Sequence, residues 1–249
     1  VRLIRNRENL GFGRANNLGL REALEDGAEY VFLLNQDAEI PVAGIAELIR
    51  LHGEHPECRI ISPVHLNGDG SALDYSFARF CETNGPACLA APENILPGPT
   101  PDTTKKELLF VDWGIAAGWL LPRASLLEIG GFNPLFFHYG EDEDYVNRVR
   151  FHGGTIAIGS TVFMRRHRTA KTKKKNLDSR FIDRLIEMTD PARPARASTH
   201  VARYFAGPVF RQLTRGNASP APFPVRSCRE LTRGASPGPI RDPVRRKER

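Results

Sequence analysis

Apolar positions in the first two-thirds or so of the chain switch between two periods, and the switches predict strands alternating with helices. Val1 to Arg5 (VRLIR) alternates apolar and basic residues and reads as a strand. Gly13 to Glu25 has helical spacing and stops at Asp26-Gly27. Tyr30 to Asn35 (YVFLLN) is a continuous apolar run, the mark of a buried strand. Pro41 opens a helix carrying Ile45, Leu48 and Ile49, and Arg59 to Val64 is another strand. Leu108 to Asp112 resumes as a strand, and Arg123 to Ile129 is a helix ended by Gly130-Gly131. Asp142 to His152 is a helix, followed by short strands at Thr155 to Ile158 and Thr161 to Met164. This alternation predicts an α/β layer fold with a mostly parallel sheet flanked by helices.

Two stretches break the pattern. Residues 65–106 hold NGDG, NGP and PENILPGPTPD, and read as a long excursion of the kind that shapes a binding site. Beyond His167 the chain becomes cationic (TAKTKKKN), with helices expected at Ser179 to Met188 and Thr199 to Leu213. From Gly216 onward Pro, Arg, Ser and Gly dominate, which predicts disorder. The expected division is therefore a domain over 1–170, a basic, partly helical extension over 171–215 and a disordered tail over 216–249.

Charge sharpens that division. The net charge of +6 over 249 residues is a balance of two unlike parts. From Arg165 onward there are 22 basic and 7 acidic residues, a net of +15; the preceding residues hold 13 basic and 22 acidic, a net of −9. No run of about 18 apolar residues occurs, so no membrane-spanning helix is expected. The charged N-terminus does not read as a secretory signal. Cys58, Cys81, Cys88 and Cys228 show no paired spacing, which argues against a disulfide scaffold or structural zinc and for a reducing compartment.

Four constellations can carry chemistry. Asp37-Ala38-Glu39 follows the strand YVFLLN, at the strand end where α/β sheets bind ligands. Its two carboxylates suit Mg²⁺ or Mn²⁺ bearing a diphosphate, or simply a polar loop capping the next helix. Glu141-Asp142-Glu143-Asp144 packs four acids at a helix start. There the dipole favours ionised Asp142, a plausible general base, while Glu143 and Asp144 fit first-turn capping. His167 follows the strand-like TVFM beside Arg165, Arg166 and Arg168, and is either a ligand or part of a solvated basic stretch. Asn9 to Gly19 (NLGFGRANNLG) places glycines and amides where a strand passes into a helix, for an anion or for a tight turn.

In order, NLGFGRANNLG, YVFLLNQDAEI, VDWGIAAGWLLPR, GGFNPLFFHYGEDEDYVNRVRFHGG and a strand ending in His closely resemble family 2 glycosyltransferases. The nearest subgroup is the rhamnosyltransferase-like enzymes of bacterial polysaccharide synthesis. The resemblance covers about residues 1–167. It implies a GT-A fold and inverting transfer from a nucleotide-diphospho-sugar to a hydroxyl of a glycan or glycolipid. It carries the metal and diphosphate role onto Asp37, Glu39 and His167, with Mg²⁺ or Mn²⁺ as cofactor. It carries the catalytic ED pair onto Glu141 and Asp142, with Asp142 as base. Gly11, Asn16 and Asn17 are carried over as lying beside the donor, and Asp112, Trp113 and Gly118 as lining donor sugar and acceptor.

Two departures accompany the resemblance. Such enzymes begin with a strand, a helix and a second strand bearing an acidic VDN-like motif, whereas this chain opens near the expected third strand, as an N-terminally truncated domain would. Weak donor binding and impaired activity are therefore expected, and a non-catalytic remnant or binding subunit of the same fold is the alternative. The basic tail matches no motif of the family. It suits an anionic lipid surface, nonspecific nucleic acid or plain disorder. A cytoplasmic protein, peripheral on the inner face of the membrane, is the expected location. A nucleotidyltransferase is disfavoured, because no Gly-rich loop with a basic residue lies near the chain start. Specific nucleic-acid binding is disfavoured because the tail's few aromatics are not interleaved with its basic residues.

Overall fold

Alternation along the strands decides the layering of the computed structural model, which describes residues 1–84, 107–167 and 179–193. The order is α1 (Phe12–Glu25), β1 (Tyr30–Leu34), β2 (Ala38–Glu39), α2 (Val42–Glu54), β3 (Cys58–Asn67), α3 (Tyr75–Asn84), β4 (Leu108–Val111), β5 (Gly118–Pro122), α4 (Arg123–Ile129), α5 (Glu141–Phe151), β6 (Thr155–Arg166) and α6 (Ser179–Thr189). Successive strand residues face opposite layers. Ile60, Trp119, Leu121 and Ile156 pack with Leu20 and Leu24 of α1, Leu126 and Ile129 of α4, and Tyr145 and Val149 of α5. Their neighbours Ile61, Leu120 and Ala157 pack with Leu48 and Leu51 of α2 on the other face. A third cluster joins Phe77, Phe80 and Cys81 of α3 to Val64, Leu66 and Ile158.

The expected α/β fold is observed, but its sheet is mixed rather than mostly parallel. The order is β1-β5-β3-β6-β2, with β4 also paired to β6. The β3–β6 pairing is parallel, and the other four are antiparallel. Strands β1, β3 and β6 do point the same way, as strands joined through helices should. The shorter β5 enters between β1 and β3, and β2 and β4 line the outer edge of β6, all three running in the opposite sense. Of these, β4 was read from the sequence at Leu108 to Asp112, whereas β2 and β5 had no clear periodicity.

Other differences are local. Residues 1–5 form no strand; they lie exposed, and Arg2 pairs with Glu22 and Asp26 of α1. The two short strands expected over 155–164 are one strand, with a register shift where Gly159 and Phe163 face Pro63 and Val64. Helix α3 arises inside the irregular excursion. The helix expected at Thr199 to Leu213, the tail over 216–249, the cationic run after His167 and part of the excursion lie outside the described residues. Among the described residues, no helix is long and apolar enough to cross a membrane.

One polar device locks α5 to the turn before it. Arg148 and Asp144 form a buried ion pair with side chains 4% and 1% exposed, Nε to Oδ2 2.9 Å. The other guanidinium nitrogens donate to the Ile129 and Gly131 carbonyls at 2.8 and 2.9 Å. Asn133 Nδ2 donates to Asp144 Oδ1 at 3.1 Å, and the guanidinium lies over the Tyr145 ring. The Arg148 guanidinium and both Asp144 carboxylate oxygens are thereby matched, as burial of charge demands. Arg148→Met strands the Asp144 carboxylate, and urea unfolding should show a loss of about 3–5 kcal/mol. A loss under about 1 kcal/mol would show that α5 is held by its apolar face instead.

Candidate functional site

The end of β6 forms one pole of the site. Strand β2 pairs with it, Ala38 opposite Arg166 and Glu39 opposite Arg165. The His167 amide then donates to the Asp37 carbonyl at 2.6 Å. This ladder brings three residues singled out from the sequence, Asp37, Glu39 and His167, to one place. His167 Nε2 lies 3.1 Å from Glu39 Oε1, and Arg165 stands 3.9 Å from the same oxygen. Asp37 differs: its Oδ2 faces Arg166 at 3.6 Å. The turn after β3 supplies a wall. A Cβ on Gly68 would meet His167 Nδ1, and one on Gly70 would meet the Arg165 guanidinium.

Among the described residues, no group of three or more His, Cys, Asp and Glu side chains is gathered to cage an ion. At this strand end Glu39 and His167 form an imidazole–carboxylate pair, and Asp37 faces Arg166 beside them. The pair still fits Mg²⁺ or Mn²⁺, because such ions are commonly held by one or two protein donors, with phosphate oxygens and water completing the shell.

Helix α5 builds the second pole. Tyr139 and Gly140 both take the left-handed conformation, φ 71° and 90°, and so turn the chain sharply into the helix. A side chain at 140 would press on Phe136 and on Ile182 of α6. Glu141 is buried, and its Oε2 has no hydrogen-bond partner among the described residues. Asp142 is half-buried and accepts from the Glu143 amide at 3.0 Å. The Ala116 backbone amide faces it and favours its charged form slightly. The dipole was expected to favour ionised Asp142, but burial outweighs it. Burial first, and the neighbouring Glu141 charge second, push the Asp142 carboxyl up to about 6. Burial likewise raises Glu141.

The remaining residues take other places. Gly11 caps α1 at φ 79°, where a Cβ would overlap the Phe137 carbonyl. Asn16 bonds the Phe12 carbonyl of its own helix. Asn17 is committed to the fold: Nδ2 donates to the Phe132 carbonyl at 2.8 Å, and the Phe132 amide donates to Oδ1 at 2.7 Å. With Arg14 on the Pro134 carbonyl, this pins the 131–137 segment to α1. Gly118 is buried where a Cβ would overlap Met164 Sδ, so it serves packing. Trp113 is half-buried against Phe80, ring centroids 5.4 Å apart. Asp112 is 85% exposed and 3.6 Å from Arg150, eight residues and about 12 Å along α5 from Asp142. The structure therefore does not bring Asp112 to the second pole.

Residues 112–117 join the poles. The Asn35 amide, two residues before Asp37, donates to the Ala117 carbonyl at 3.1 Å, while the adjacent Ala116 amide faces Asp142. Ala116 was missed because its contribution is a backbone amide, which no side-chain pattern signals. Asp74 was missed too, although an Asp before Phe77, Phe80 and Cys81 carries a helix-start signal.

The fold is thus an α/β sheet with a carboxylate–imidazole pair at one strand end and a half-buried carboxylate at the start of α5. Residues 1–113 match the family model described as Glycosyl transferase family 2. The match includes the first pole's Asp37 and Glu39 and ends ahead of Asp142. Among solved structures, the crystal structure of GalNAc-T7 with UDP, GalNAc and Mn²⁺ is similar at 13% identity and a TM-score of 0.49. That alignment covers 71% of this chain and 33% of the neighbour, so the chain spans about a third of its length. No curated protein matches the chain.

The folded state holds the Asp142 proton more tightly than an unfolded aspartate near 3.8. This group therefore favours folding at low pH, and its contribution falls away as pH rises through about 6. Glu141→Gln removes the second cause and should lower the Asp142 midpoint, while burial keeps it above the ordinary range. Carboxyl NMR titration of both proteins reads this, and an unshifted midpoint would show that the two carboxylates are not coupled.

Proposed function

We propose that this chain carries the cation and base side of a GT-A glycosyltransferase. In this reading it moves a sugar from a nucleotide-diphospho-sugar to a hydroxyl of a glycan or glycolipid, with inversion. The observation that carries the reading is the shared loop: the Ala117 carbonyl accepts from the Asn35 amide, in the segment leading into Asp37, and the adjacent Ala116 amide faces Asp142. The match of residues 1–113 to Glycosyl transferase family 2 supports the class of reaction. Rhamnose as the transferred sugar, and a role in polysaccharide synthesis, rest on the order of the sequence motifs.

Each residue then has a task. Glu39 and His167 hold Mg²⁺ or Mn²⁺, with Asp37 beside them. Bound there, the cation offsets charge developing on the leaving diphosphate. Arg165, exposed at the same strand end, adds positive charge next to the pair. Asp142 takes the acceptor proton. Its raised pKa places it closer to neutrality, where a base still ionises at pH 7 yet binds a proton firmly enough to remove one. Loop 112–117 keeps the two tasks in register.

Calorimetry with UDP and dTDP in the presence of Mn²⁺ tests the first pole. His167→Ala and Glu39→Gln should each weaken metal-dependent nucleotide binding about tenfold or more. Asp142→Asn should leave that binding in place while lowering sugar transfer about 10²–10⁴-fold. Binding that is indifferent to Mn²⁺ would overturn the metal role. Wild-type binding without transfer to any glycan acceptor would favour the non-catalytic binding subunit.

A further inference from the structure

Arg166 lies between two carboxylates. It is 6% exposed, with Nη2 3.6 Å from Asp37 Oδ2 and Nη1 3.7 Å from Asp74 Oδ1. Asp74 is itself 4% exposed and is fixed from two directions. Its amide donates to the His65 carbonyl of β3 at 2.9 Å. Its Oδ1 accepts from the Ser76 and Phe77 amides at 3.0 and 3.4 Å, capping α3. Asp37 is held at its carbonyl by His167 and at its carboxylate by Arg166. A guanidinium buried beside Asp37 alone would orient that carboxylate and also cancel its charge. With Asp74 on the far side, the trio carries a net negative charge. Among the described residues, Arg165 and the His167 imidazole group around the Glu39 carboxylate at this strand end, and Asp69 in the turn after β3 also faces Arg165.

We propose that Asp74 is a positioning residue of the cation pole, acting through Arg166: it balances the guanidinium so that Asp37 stays oriented and still attracts a cation. The inference rests on the reading of Asp37, Glu39 and His167 as that pole. It gives the segment after β3 a defined task, although Asp74 is separated from Asp37 by Arg166 and is closed off from solvent.

Asp74→Asn separates its two duties. Asparagine caps a helix about as well as aspartate, so α3 and the thermal melting point should hold. The charge on the far side of Arg166 is gone. Mn²⁺ titration of the full chain with UDP present, read by electron paramagnetic resonance, should show affinity weakened about five- to tenfold. In an Arg166→Met background the same substitution should have little further effect, since the route to Asp37 is already cut. Asp74→Ala should lose the cap and melt lower.

Unchanged Mn²⁺ affinity in Asp74→Asn at an intact melting point would overturn the proposal. An equal loss in the Arg166→Met background would overturn it as well, by showing that Asp74 does not act through Arg166. A wild-type chain that takes up no Mn²⁺ with UDP would remove the cation pole itself and the proposal with it. That failure is visible before any substitution is made.

Discussion

The buried Asp144–Arg148 pair is the constraint on which the second pole depends. Helix α5 begins with four acids in succession, and such a run repels itself and resists burial. Arg148 makes burial possible for the fourth. It sits one turn further along, reaches back to Asp144, and ties the helix to carbonyls at 129 and 131. Asn17 of α1 grips the same turn at Phe132. Glu141 and Asp142 therefore start a helix whose position is set by interactions on its inner side, not by the acids it presents.

The four acids are sorted by environment rather than by type. Asp144 is matched by charge and by an amide, Glu141 is buried with an oxygen unpartnered among the described residues, Asp142 is half-buried and accepts from the Glu143 amide, and Glu143 is exposed. Asp142 and Asp144 differ in their surroundings: Asp144 pairs with Arg148, whereas the Asp142 carboxyl is pushed up to about 6, by burial first and by the Glu141 charge second. Burial without a cation separates these two outcomes.

Legibility in the sequence followed the range of the interactions. Helices α1, α2, α4 and α5 were readable because their apolar spacing is local, as was the continuous run of β1. The short β2 and β5 were not, because their place is decided by partners in β6, β1 and β3 rather than by their own period. Asp37, Glu39 and His167 were legible as donor types at strand ends, and the structure brings them to one strand end. Their division into a pair and an arginine-bound third was not legible, because it depends on Arg166 facing both Asp37 and Asp74. Asn17 pointed to a ligand by residue type, yet its amide matches the Phe132 backbone so fully that its part is structural. The position of Ala116 belongs to a backbone amide, which composition and spacing cannot express.

The two poles make opposite demands on solvent, and the fold meets both by placing them on either side of one loop. In the proposed reaction a cation with a diphosphate would enter from water, and Glu39 and His167 are more than half exposed. A base that holds its proton near neutrality must be partly withdrawn from water, as Asp142 is. Rigid strands on both sides of a short connection reconcile these needs. β5 is buried throughout, with Gly118 packed on Met164 of β6, so the loop ahead of it cannot slide without disturbing the core. Because Ala116 and Ala117 are consecutive, their contacts with Asp142 and Asn35 share that rigidity. The spacing between exposed and sheltered carboxylates is thus set by the burial of β5 between β1 and β3, away from either pole.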